Sequence, residues 1–191
     1  MKVVHRIAMI VLVLSLMPFA GLAQKTLNLD KRDSQITVTG TSTLHDWEII
    51  VNDFSGMVEG EFNAQKPEIF ASKLNVQVQS LKSGKSGMDK NVYEALKEED
   101  HPVITYEFKT TKQIQQSDQG YQITAVGDLT IAGQTKEVEI SMTGEFKENK
   151  LKVKGSKSFN MSKFEVDPPT VMFGTIKTGD KITVDFSIIY N

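Results

Sequence analysis

The chain has 191 residues and a mass of 21.3 kDa, the size of one domain. It contains no cysteine, which excludes a disulfide scaffold, thiolate catalysis, iron–sulfur clusters and cysteine zinc sites. Its 22 basic residues face 24 acidic ones, a formal net charge of −2, so there is no electrostatic footprint for nucleic acid.

Lys2 and Arg6 lead into an apolar run, Ile7 to Met17, that Pro18 breaks. The run is too short for a bilayer, which takes about 20 residues. Gly21-Leu22-Ala23 then sets small residues before Gln24. This pattern predicts a secretory signal peptide over residues 1–23, cleaved after Ala23, with no membrane span. A single domain, residues 24–191, follows, and without Lys2 and Arg6 it carries 20 basic against 24 acidic residues, a net of −4.

From there the dominant period is two, the period of strands. A weak first strand lies near Thr26 to Leu29, and Ile36 and Val38 alternate with threonines. Ile50, Phe54, Val58 and Phe62 share one parity of a long run, with Gly56 and Gly60 on the same face, where a strand can bend or bulge. Leu74, Val76 and Val78 form the next strand.

Met88, Val92, Ala95 and Leu96 then fall at helical spacing, so one short helix of about three turns is expected, with Ser86 and Asp89 as a capping box. Pro102 ends it.

Alternation resumes at Ile104, Tyr106 and Phe108. It continues through Tyr121, Ile123, Ala125, Leu129 and Ile131, through Val138, Ile140, Met142 and Phe146, and through Leu151 and Val153 between Lys150, Lys152 and Lys154. Ala132-Gly133-Gln134 and Glu148-Asn149 read as tight hairpins. Ser158 to Lys177 is apolar and irregular, with Pro168-Pro169 inside it, as a lid or pocket wall would be. Thr178-Gly179-Asp180 reads as a turn before the last strand, which holds Ile182, Val184, Phe186, Ile188 and Tyr190. Eight or nine antiparallel strands of this kind make a sandwich or a barrel.

Little here carries reaction chemistry. His45-Asp46-Trp47 is the most unusual cluster, yet neighbours on a strand point to opposite faces, so His45 and Asp46 are no dyad by spacing alone. His45, Asp46 and His101 have no metal-ligand spacing. Gly84-Lys85-Ser86 has the last letters of a phosphate loop without its earlier glycine.

Several segments, in this order and spacing, resemble the YceI-like family of secreted, lipid-binding bacterial proteins. They are Ser42-Thr43-Leu44-His45-Asp46-Trp47 with Phe54-Ser55-Gly56; Met88 to Tyr106; Gly127 to Gly133 with Thr135-Lys136; and Phe164 with Pro169 to Gly179. Where typical members carry two aromatics at the helix–strand junction, this chain has Ala95-Leu96-Lys97. The resemblance implies an all-β fold, an eight-stranded antiparallel lipocalin-like barrel with the helix over one end. It also implies a cavity for a polyisoprenoid or fatty-acid-like lipid, a periplasmic location and a frequent homodimer. No other cofactor is expected.

On that basis the expected function is binding, transport or storage of a long apolar lipid. Parity places Phe54, Val58, Phe62, Ile104, Tyr106, Phe108, Ile123, Ile140, Met142 and Phe186 on the lining, with His45 and Trp47 near the head group. Two alternatives stand beside it: a lipid-modifying enzyme using His45 and Asp46, and a ligand-free structural or stress-response partner with a filled core.

Overall fold

A computed structural model describes residues 24–62, 67–118, 120–171 and 174–191. The expected signal peptide lies outside the described residues, as do Met172 and Phe173. Twelve strands form one antiparallel sheet: β1 (Lys25–Asn28), β2 (Gln35–Ser42), β3 (Trp47–Val51), β4 (Phe54–Glu61), β5 (Glu68–Gln77), β6 (Leu81–Lys82), β7 (Val103–Ser117), β8 (Gly120–Ile131), β9 (Gln134–Lys147), β10 (Lys150–Asn160), β11 (Thr170–Val171) and β12 (Ile176–Tyr190). Among the described residues there is one α-helix, α1 (Ser86–Ala95), between β6 and β7.

The main path runs β1-β4-β5-β7-β8-β9-β10-β12-β2-β3-β6, and β11 pairs with β12. The sheet curls into a lipocalin-like barrel. At the end of β1 the edge of the sheet meets β12: the Asn28 and Asn191 amides each donate to the other's carbonyl, at 2.9 and 2.8 Å, while Leu29 N donates to Gly56 O of β4 at 2.9 Å. Without β1, β6 and β11, pieces of two to four residues, nine strands remain against the expected eight.

The alternation is realised strand by strand. Leu27, Ile36, Val58, Ile123, Val138, Leu151, Val153 and Ile188 are all buried. Both expected hairpins form. Ala132 (φ 49°) with Gly133 (φ 78°), and Glu148 (φ 51°) with Asn149 (φ 69°), take the two positive-φ conformations that match the twist of paired strands. The register slips between Glu59 and Gly60, and a side chain on Gly60 would stand 2.2 Å from the Glu68 carbonyl. A glycine on this face marks a bulge, as its position predicts.

Three local expectations are corrected. The run from Ile50 to Phe62 is two strands, not one. Asn52 N donates to Ser80 O at 3.1 Å, and Gln77 N donates to Asp53 O at 3.0 Å, breaking the run at Asn52-Asp53. Parity is lost across that break, so Ile50 points outward at 44% exposure while Ile49 and Val51 are buried.

Second, Thr178-Gly179-Asp180 is not a turn. It lies within β12 as a register slip against β2, between Thr178 and Ile182. Asp180 there accepts from Ser162 Oγ at 2.6 Å and Ser162 N at 2.8 Å, and these bonds hold its carboxyl below the ordinary value. Third, Ser86 does not cap α1. The N-cap position is Lys85, and Asp89 reaches back instead to accept from Ser83 Oγ (2.6 Å) and Ser83 N (2.8 Å).

Candidate functional site

Inside the barrel is a cavity of about 500 Å³, within the range of small-molecule sites. Its wall is built by period two. Each strand turns alternate side chains inward, and the curl makes those inward rows face one another. Ile36 and Val38 come from β2, Ile140 and Met142 from β9, Val184 and Phe186 from β12. Gly155 of β10 leaves room for one of them, since a side chain there would meet the Phe186 ring at 2.5 Å.

At one end the wall is closed by aromatic packing. Phe62 stacks on Phe146 with ring centroids 5.4 Å apart, and neither borders the cavity. At the other end the cavity reaches exposed residues: Leu44 and His45 of the β2–β3 loop, and Lys85 before α1. Met88, Val92, Ala95 and Leu96 line it from α1, the stripe that the spacing predicts. The connection after β10 completes the rim. Met161 to Phe164 form a 3₁₀ turn, Phe164 is fully buried, and Phe159 meets it edge-on with centroids 5.3 Å apart. Met161, Val166, Pro169 and Ile176 also line the cavity, so this irregular stretch is a pocket wall, as its composition predicts.

The predicted lining residues divide. Val58, Ile104, Tyr106, Phe108, Ile140, Met142 and Phe186 border the cavity, as do His45 and Trp47. Phe54, Phe62 and Ile123 do not. Phe54 is buried at the start of β4, and Phe62 belongs to the aromatic stack. Ile123 is buried over Gly144, where an added side chain would come within 2.8 Å of Ile123 Cδ1.

The indole of Trp47 lies over Gly40, its cross-strand partner, and Nε1 donates to Thr41 O at 3.0 Å. His45 does not pair with the Asp46 carboxylate. Its Nδ1 stands 2.7 Å from the Asp46 main-chain carbonyl, and Nε2 is 3.5 Å from Lys85 Nζ. His101 packs against the β8–β9 hairpin at Gly133, away from His45. Among the described residues no three His, Asp or Glu gather as metal ligands would, and no helix is long and apolar enough to cross a membrane.

Polar groups on the wall are few. Tyr106 has a buried hydroxyl with no hydrogen-bond partner. Burial, and then the nearby Tyr190, push its pKa up to about 12. Burial likewise pushes Tyr190 up to about 12, against the opposing effect of a hydrogen bond with Ser72. Both tyrosines stay neutral at physiological pH. Among the described residues the charged side chains on the wall are Lys85 and Lys157, and no aspartate or glutamate borders the cavity.

A curled antiparallel barrel around one apolar cavity, with a helix at the rim, defines a lipocalin-like class of small β-barrel. The sequence profile of the YceI-like domain matches residues 27–190, so the chain belongs to the YceI-like family. Solved structures agree on the fold. BcnA of Burkholderia cenocepacia is 17% identical and superposes with a TM-score of 0.70 over 85% of this chain and 99% of its own. A polyisoprenoid binding domain from Saccharophagus degradans is 12% identical, with a TM-score of 0.66 over 86% and 97%. The Campylobacter jejuni YceI protein is 16% identical, with a TM-score of 0.60 over 74% and 82%. A sequence comparison with curated proteins finds no match.

Proposed function

We propose that the chain is a periplasmic carrier or store for a long apolar lipid, a polyisoprenoid or a fatty-acid-like amphiphile. The observation that carries this reading is the cavity: about 500 Å³, apolar along its length, stopped by the Phe62–Phe146 stack and reaching the surface at Leu44, His45 and Lys85. Such a shape takes one elongated molecule end-on. Each buried CH₂ contributes about 0.8 kcal/mol, so a long chain binds without many hydrogen bonds.

Val58, Ile104, Phe108, Ile140, Met142 and Phe186 then hold the tail, while His45 and Trp47 stand at the head-group end. Family membership and the polyisoprenoid-binding relative support the same ligand class. A signal peptide over residues 1–23 delivers the protein to the periplasm.

Native mass spectrometry of protein purified from its own host's periplasm, with organic extraction of the same sample, tests the reading. A stoichiometric adduct whose extracted mass fits an acyl or prenyl chain is the expected result. A clean apo mass, unchanged after incubation with palmitate and with a polyprenol, overturns it.

A further inference from the structure

We propose that the lipid held in this cavity carries an anionic head group, a carboxylate or a phosphate, and that Lys157 is its counter-charge. The inference rests on the carrier reading above and adds the charge and the polarity of the bound molecule. On β10 the residues facing inward are Leu151, Val153, Gly155, Lys157 and Phe159, so a lysine occupies an apolar-parity position. It lies three residues before the end of β10, opposite Val184, and is half-buried. Among the described residues its ammonium group has neither a hydrogen bond nor an ion pair.

On the outside of the barrel Lys150, Lys152 and Lys154 have no ion pair among the described residues, while three other lysines meet carboxylates. Lys73 meets Glu107 at 2.7 Å, Lys109 meets Asp128 at 2.8 Å, and Lys112 meets Glu139 at 2.6 Å. Among the described residues no carboxylate borders the cavity, although the chain has more acidic than basic residues. The wall has Lys157, with Lys85 at the mouth, a single sign of charge against low-dielectric surroundings. A cleft of that kind concentrates anions. A lysine stem lies along apolar surface while its ammonium seeks a polar partner, and an ionised acceptor makes the stronger hydrogen bond. A lipid alcohol or hydrocarbon would leave Lys157 as it is; a carboxylate or phosphate would pair it.

The test uses two matched pairs of probes, palmitate with hexadecanol and geranylgeranyl phosphate with geranylgeraniol, titrated into the mature protein by calorimetry. The wild type is expected to bind an anionic member about tenfold tighter than its alcohol, a charge-assisted hydrogen bond's worth. Lys157→Met should erase that preference and keep the alcohol's affinity, which also shows that the variant folds; Lys157→Arg should retain it. Preference for palmitate alone, or for the phosphate alone, supports the proposal and names the head group. Equal affinity for charged and neutral members in the wild type overturns it, as does a preference that survives Lys157→Met; either leaves the carrier reading standing. Failure of all four probes to bind overturns both.

Discussion

The two ends of the barrel are made from the same alternating strands and come out differently. At the end closed by aromatic packing, inward rings meet one another, as Phe62 does Phe146. At the helix end, smaller and more flexible side chains such as Val38, Met88, Ala95, Met142 and Val184 face across a gap that remains open. Alternation alone sets only which side chains point inward. Their bulk, and what roofs the barrel, decide whether the interior is core or cavity.

Breaking the roof should show the largest effect. Phe164 is fully buried and braces the connection that forms the rim. Phe164→Ala should lower stability by about 3–5 kcal/mol, read as a shift in the urea midpoint; a loss below about 1 kcal/mol would mean that the roof is not part of the cooperative core.

Filling the gap sharpens the contrast further. Val184→Trp directs a large ring into the cavity. Uptake of palmitate or a polyprenol should fall at least about tenfold while stability changes by less than about 1.5 kcal/mol. A stability loss well beyond that would show the helix end to be as tightly packed as the end closed by Phe62 and Phe146.

A smaller change concerns the Tyr106 hydroxyl, buried without a partner. Tyr106→Phe removes that orphan group and should raise stability by about 1 kcal/mol in thermal or chemical denaturation. A decrease of similar size would reveal a hydrogen bond that the phenol makes in solution.

The smallest effect is on the loop before α1. Bonds from Ser83 hold the Asp89 carboxyl below its ordinary value of 3.8, so the loop is tied down above that pH. The tie is lost as pH falls through the lowered value. Amide exchange over residues 83–89 should quicken there in wild type, and Asp89→Asn should abolish that pH dependence.

Much of this was legible in the residues. The rows ending at Ile131, Phe146 and Tyr190 run as their alternation predicts, because the β8–β9, β9–β10 and β10–β12 ladders pair without a register slip. The two hairpins were readable from Gly133 and Asn149. What escaped was non-local. Ile50 keeps step with Phe54 in sequence, yet the break at Asn52-Asp53 turns it outward, and that break is made by main-chain bonds to Gln77 and Ser80. The bulge at Thr178 resembles a turn in composition and becomes strand only because β2 lies beside it. Lys157 escaped for another reason. Counting on by twos from Leu151 and Val153 reaches it, but the lysine triplet on the opposite parity draws attention to charge on the outside.

Trp47 is the chain's single tryptophan, and it borders the cavity with its indole fixed on Gly40 and tethered to Thr41. The barrel therefore carries its own optical gauge. Any molecule entering past His45 changes the surroundings of one immobilised chromophore, so occupancy can be followed by ultraviolet emission, in real time and without a label.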